Sequence, residues 1–202
     1  MEPIQKYGRD AVVFNLLYDV ALTDDGDFSM ERLDGVYNSM LIGARGNLVN
    51  RVTKLGKKWG ITEGNVGEHH DWFLDYSLDH YFGNIKRFNT KKALEQRYKL
   101  VQKANEFITI QEPWKKYKDE ATKDQAINDI KFLLYVVKNL AILSSAVLVD
   151  GFAKIQEIYG NVDLQVIDTT TASDSKKLHT LFVAKQFEVN LDPQIIYPRV
   201  EE

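Results

Sequence analysis

A mainly α protein, a helical bundle closed by a short irregular or β C-terminal tail, is the fold class that the 202-residue sequence predicts. Apolar residues recur at helical spacing in long stretches around Tyr37 to Lys58, Asn89 to Gln111 and Asp124 to Tyr159. Strand-like alternation is confined to the end of the chain, in Leu181, Val183, Phe187, Val189 and Leu191. Hydrophobic residues make up 44% of the sequence, which supports one folded domain with a real core rather than a disordered chain.

Composition excludes several function classes. Cysteine is absent, so there is no disulfide framework, thiolate zinc site or thiol nucleophile, and a reducing compartment, the cytoplasm, is the expectation. Met1-Glu2-Pro3-Ile4-Gln5-Lys6 lacks the charged-then-apolar pattern of a signal peptide. Only Phe132 to Val149 approaches membrane-span length, and Lys138 with Asn139 near its middle predicts a buried bundle helix and no membrane partner. The net charge of −3 speaks against a nucleic-acid binder as a whole. The charge is divided, however: Asp19, Asp24, Asp25, Asp27, Glu31 and Asp34 lie early. Lys86, Arg87, Lys91, Lys92, Arg97, Lys99, Lys103, Lys115, Lys116 and Lys118 outnumber the acids between them, as a solvated face or as a local basic surface.

Taken in order, Ile4 to Val20 is apolar enough for a short helix or helix-strand unit, and Thr23-Asp24-Asp25-Gly26-Asp27 reads as a loop. A calcium loop there fails, because placing Gly26 at the sharp turn puts Ala21 at the first ligand position. Ser29 can cap a helix from Met30 to about Lys58. At 100° per residue its Tyr37, Leu41, Leu48, Val52 and Leu55 make an apolar face, with Asn47, Arg51, Lys54 and Lys58 about a quarter-turn away. Gly43 and Gly46 inside it predict close packing on one flank. An amide and a guanidinium four residues apart point the same way, so Asn47 and Arg51 form either a solvated basic side or a pair converging on one polar ligand.

After Gly60, Gly64 and Gly67, Glu68 to Tyr81 is a second helix, with Trp72, Phe73, Tyr76 and His80 on one side and Gly83-Asn84 as its stop. His69, His70 and His80 lack the spacing of a known metal site, so no metal is assigned. Asn89-Thr90 caps a third helix carrying Leu94, Arg97, Val101, Ala104 and Ile108, which ends before Glu112. Pro113 fits the first position of a new helix and leaves Trp114 at its start, as a packing anchor or, beside Lys115, Lys116 and Lys118, as a base-stacking surface. Asp124 to Tyr159 is the central buried helix or a pair of them, with Gly151 as the candidate bend. Gln165 to Ser175 is a polar connection, and the alternating segment up to Leu191 with Ile195-Ile196-Tyr197 is expected to form a short strand pair about the Asp192-Pro193 turn.

Five pieces in this order resemble the C-terminal part of the methionyl-tRNA synthetase family: Tyr7-Gly8-Arg9-Asp10-Ala11, Asp25-Gly26-Asp27-Phe28-Ser29, Gly46-Asn47-Leu48-Val49-Asn50-Arg51, Ala104-Asn105-Glu106-Phe107-Ile108 and Glu112-Pro113-Trp114-Lys115-Lys116-Tyr117-Lys118. The resemblance implies a helical bundle of the class I synthetase anticodon-binding type. Residues 1–29 would end the connection from a catalytic domain, 30–164 form the anticodon-binding domain and 165–202 a linker and tail packing back. It implies that Asn47, Arg51 and Trp114 read the CAU anticodon loop of tRNA(Met). The basic side of that helix and the Pro-Trp segment offer Lys54, Lys58 and Lys115 as candidate phosphate contacts.

The family's ATP-handling motifs, His-Ile-Gly-His-like and Lys-Met-Ser-Lys-Ser-like, do not occur in this sequence, so no catalytic residue is expected here. ATP and Mg would belong to a catalytic domain acting in cis or in trans. Val13 stands where an Arg is usual, Leu143 to Val149 where a Pro-rich break is frequent, and Tyr197-Pro198-Arg199-Val200-Glu201 matches a common family ending, which implies a natural C-terminus. A helical interaction module that docks a separate catalytic chain without reading RNA is the alternative reading.

Overall fold

A computed structural model describes residues 2–19, 28–69, 78–160 and 186–200. The acidic loop around Gly26, the Trp72, Phe73, Tyr76 and His70 positions, the polar connection at Thr169 and the Leu181 and Val183 end of the alternating segment lie outside the described residues.

Helix α1, Glu2–Asp19, is interrupted at Gly8, whose φ of 80° and ψ of 166° only glycine adopts freely. Beyond the break Ala11 and Phe14 enter the core. Ser29 caps α2, Met30–Val36, accepting from the Arg32 N–H at 3.4 Å. The rod continues to Lys58 as expected, but not with one pitch. Tyr37–Gly46 is a π-helical segment, and regular α-helix resumes as α3, Asn47–Lys58. A methyl group on Gly43 or Gly46 would lie 2.9 or 3.0 Å from the carbonyl oxygen five residues back, Asn38 O and Leu41 O, so the tight approach is chiefly to the rod's own wide turn. The apolar face survives the change of pitch: Tyr37, Leu41, Leu48 and Val52 are all buried.

Strand β1, Glu63–Asn65, pairs antiparallel with β2, Gln186–Glu188, with Gly64 opposite Phe187. The tail therefore pairs with a distant strand and not across the Asp192-Pro193 turn. Gly64 has no side chain because the Phe187 ring lies where its Cβ would be, 2.1 Å from Phe187 Cε1. The alternation was the right signal, since Phe187, Val189 and Leu191 are buried while Glu188 and Asn190 are exposed.

A 3₁₀ turn, Gly67–His69, precedes α4, Leu78–Lys86, which continues three residues past the Gly83 expected to stop it. Asn89 caps α5, Thr90–Gln111, accepting from the Lys92 N–H at 3.3 Å. Glu112, at φ 44°, turns the chain sharply into the short α6, Pro113–Lys116, with Pro113 at its first position as expected. The apolar stretch that follows is two helices, α7, Lys123–Ser144, and α8, Val149–Ile158. The break is at Ser145–Leu148 and not at Gly151, which sits in the first turn of α8 with the Tyr197 hydroxyl where its Cβ would be.

Helix α7 is the centre of the core. Phe132, Leu133, Leu134, Val136 and Val137 are successive buried positions on every side, so α3, α5, α8 and β1 can all pack on it. No described helix is long and apolar enough to cross a membrane, and Lys138 lies 4.5 Å from the Phe187 ring centroid.

Ending α7 inside the protein leaves carbonyl oxygens that water cannot reach. Arg97 from α5 donates to Leu140 O at 2.9 Å, to Leu143 O and to Ser144 Oγ at 2.7 Å; Arg45 donates to the same hydroxyl at 2.8 Å. Burial lowers the Arg97 pKa to about 10 and lowers that of Arg45 as well. The start of α8 receives the opposite charge: Asp10 accepts from the Asp150 N–H at 3.1 Å and the Gly151 N–H at 2.7 Å. Asp10→Ala is expected to lower unfolding stability by about 1–3 kcal/mol, and Asp10→Asn by less, because its amide oxygen still accepts. Urea unfolding monitored by circular dichroism checks both.

Candidate nucleic-acid interface

The polar side of α3 and the short helix α6 meet. Asn47 opens α3 and is exposed; Arg51, one turn on, is half-buried and its guanidinium carbon lies 5.4 Å from the centroid of the Trp114 ring. These two residues are 63 positions apart in the sequence, and the packing-anchor reading of Trp114 describes part of its position. The ring packs partly against the hydrophobic core and also meets the basic stripe.

Among the described residues, no hydrogen bond or ion pair engages the side chains of Asn47, Arg51 or Trp114. An amide, a planar guanidinium and an indole N–H thus stand together with donors and an acceptor open. That is the equipment for holding an unstacked base by its face and its edges. Lys54 and Lys58 are exposed on the same helix. Lys115 is exposed too but is paired with Glu112 at 2.7 Å, so as a phosphate contact it would have to exchange that carboxylate.

Two features that fix this geometry were not foreseen. Trp59, just after α3, stacks on Tyr117, just after α6, with centroids 4.1 Å apart and planes 1° from parallel. Helices α3 and α6 are therefore clasped at Arg51–Trp114 and again at Trp59–Tyr117. The second feature is Asp129 on α7, 1% exposed, which accepts from Lys116 Nζ at 2.9 Å and lies 3.4 Å from His69 Nε2. Lys116 also donates to Gln111 Oε1 at 2.6 Å. His69 is held between Phe107 and Phe132, with ring centroids 5.0 and 4.6 Å away.

The short helix carrying Trp114 is thus bolted to the central helix by a nearly buried ion pair. The one sequence signal was an acid, Asp129, directly beside Ile130 on the apolar stripe of that helix. Of the basic surface expected from Lys86 to Lys118, the burial of Arg97 and the engagement of Lys116 remove two members.

Residues 58–202 match the family model described as the anticodon binding domain of methionyl tRNA ligase, which puts the chain in the class of tRNA anticodon-binding domains. The chain belongs to the methionyl-tRNA ligase family of such domains. It is 29% identical over 160 residues to methionine–tRNA ligase 1 of Alkaliphilus oremlandii, covering 78% of this chain and 29% of that protein. The methionine–tRNA ligase of Fusobacterium nucleatum is 27% identical over 207 residues, covering 99% of this chain and 32% of that protein. The chain spans about three tenths of the length of these relatives. The free-state crystal structure of Mycobacterium tuberculosis methionyl-tRNA synthetase shares the fold, with a TM-score of 0.82 at 24% identity over 100% of this chain and 41% of that one.

Asp129→Asn keeps the shape and removes the charge opposite Lys116. It is expected to lower stability by about 1–3 kcal/mol and to speed amide hydrogen exchange in Trp114 to Lys118 more than in α3. Exchange measured by mass spectrometry checks the local effect.

Proposed function

We propose that this chain is the tRNA-reading part of a methionine–tRNA ligase, binding the anticodon loop of tRNA(Met) and placing that tRNA for a catalytic domain in cis or in trans. The observation that carries the reading is the convergence of Arg51 and Trp114, with Asn47 one helical turn away, on a single face where their polar atoms have no hydrogen-bond or ion-pair partner among the described residues. In this reading an anticodon base stacks beside the indole, while the Arg51 guanidinium and the Asn47 amide bond the edges of bases that the loop leaves unpaired. Three such contacts suit the bases of a CAU triplet. Lys54, Lys58 and Lys115 supply charge for the loop phosphates.

No step of aminoacylation is assigned to this chain; ATP and Mg are handled by the catalytic domain. What the chain contributes is position. Its recognition residues stand on α3 and α6, both fixed to α7, so a bound loop is held on rigid elements.

A stem-loop with a CAU anticodon is expected to bind more tightly than one with the first anticodon base changed. Trp114→Ala or Arg51→Ala should abolish that difference at a cost of about 1–3 kcal/mol in binding. Fluorescence anisotropy with labelled stem-loops measures it. Equal binding of both loops by the parent chain overturns the proposal. Absence of RNA binding together with tight capture of a separately purified catalytic domain would favour the docking module instead.

A further inference from the structure

Helix α4 ends in a left-handed turn: the Phe88 N–H donates to Ile85 O at 3.0 Å and the Asn89 N–H to Asn84 O at 2.8 Å. The residue between those two bonds must take a positive φ, and glycine ordinarily fills it. Here it is Phe88, at φ 57°. The steric penalty of a side chain in that conformation is not offset by burial, because Phe88 is 76% exposed, the most of any large hydrophobic residue described. A phenyl ring in a glycine position and projecting into water has no folding rationale. An outlier of this kind points to a ligand.

The surroundings of the ring say which ligand. Lys86, Arg87 and Lys92 are exposed and Lys91 is half-exposed; among the described residues none of these four side chains has a hydrogen-bond or ion-pair partner. Residues 80–94 contain no acid, in a chain whose net charge is −3. The N-terminus of the 22-residue helix α5 opens at the same corner and adds the positive end of its dipole. A protein partner would have to strip water from four like charges to cover one ring. A phosphate backbone neutralises those charges and releases its own counterions in doing so.

We infer that the α4–α5 corner is a second RNA-contact surface, in which Lys86, Arg87, Lys91 and Lys92 hold backbone phosphates and the Phe88 ring covers an unstacked base. This rests on the RNA reading of the chain, but it uses none of the residues assigned to the anticodon. The two surfaces lie at opposite ends of α5, about 33 Å apart along a helix of that length. An anticodon stem of five A-form base pairs is on the order of 15 Å long, about half of that distance. The second surface is accordingly assigned to tRNA beyond the stem, and the stem-loop probe below tests that assignment.

Phe88→Gly separates a structural role from a binding one, since glycine suits the turn. The probes are a full-length tRNA transcript with a CAU anticodon and the excised anticodon stem-loop. Phe88→Gly is expected to leave the melting temperature unchanged or raised and to weaken full-length tRNA binding roughly five- to tenfold, with stem-loop binding unaltered. Lys91→Gln with Lys92→Gln should reduce the salt dependence of full-length binding by roughly one to two phosphate contacts.

Undiminished full-length binding by both variants overturns the inference, and does so in favour of a protein contact if capture of a purified catalytic domain falls instead. Equal losses for the tRNA and the stem-loop overturn the separation of the two surfaces. Loss of anticodon discrimination in Trp114→Ala is read independently in the stem-loop arm, so failure of one proposal is distinguishable from failure of the other.

Discussion

The break between α7 and α8 is the constraint on which the rest of the structure depends. A helix that ends in the core strands its last carbonyls, and a helix that begins there strands its first N–H groups. Both ends are met by charge of the sign that the helix dipole favours, from segments distant in sequence: Arg97 and Arg45 at the end of α7, Asp10 at the start of α8. The Tyr197 hydroxyl lies 3.5 Å from Asp10 and fills the space over Gly151, so the chain's tail completes the same cap. Burial raises the Tyr197 pKa well above its ordinary value, which keeps the hydroxyl protonated and able to donate. Four segments, α1, the π-helical turn, α5 and the tail, are thus fixed around one interruption.

That arrangement explains what the site can do. Central helix α7 is immobilised at its end by the caps and along its length by burial on all sides. Asp129, near its start, then serves as a fixed point for Lys116 and so for the four-residue helix that carries Trp114. A helix that short has no stability of its own. Its orientation is borrowed from α7 through Lys116 and from α3 through the Trp59–Tyr117 stack. In the proposed reading, binding of a flexible RNA loop gains from this, because little ordering of the protein remains to oppose it.

Much of this was legible in the sequence, and the missing part has a common cause. Helical periodicity located the rods, and Ser29, Asn89 and Pro113 marked their starts because capping is local chemistry. The convergence of Arg51 and Trp114 was expected only through the family resemblance, and the structure brings them together. The changes of pitch at Tyr37 and of partner at β2 were not legible, since a π turn and a long-range strand pair depend on what packs alongside. Arg97 shows the limit most clearly. It shares the stripe of Leu94 and Val101, yet by composition it counted as surface charge. Only the position of the α7 terminus makes it a buried cap.

The same correction accounts for how an acidic domain can hold an anionic ligand. With Arg97 buried and Lys115 and Lys116 paired, two groups of cations without a partner among the described residues stand towards opposite ends of α5. Lys86, Arg87, Lys91 and Lys92 gather at the α4–α5 corner, while Lys58 and Lys118 flank in sequence the stacked Trp59 and Tyr117 beyond the other end of α5. At physiological ionic strength fields decay over about 8 Å, far less than the roughly 33 Å length of α5, so neither patch feels the other or the net charge of the whole. Each acts on the phosphates nearest to it. A ligand long enough to touch both gains from the second contact as an intramolecular event, whereas a short one gains only from the first. In the proposed RNA reading, the length of the RNA and not only its anticodon then decides how tightly it is held.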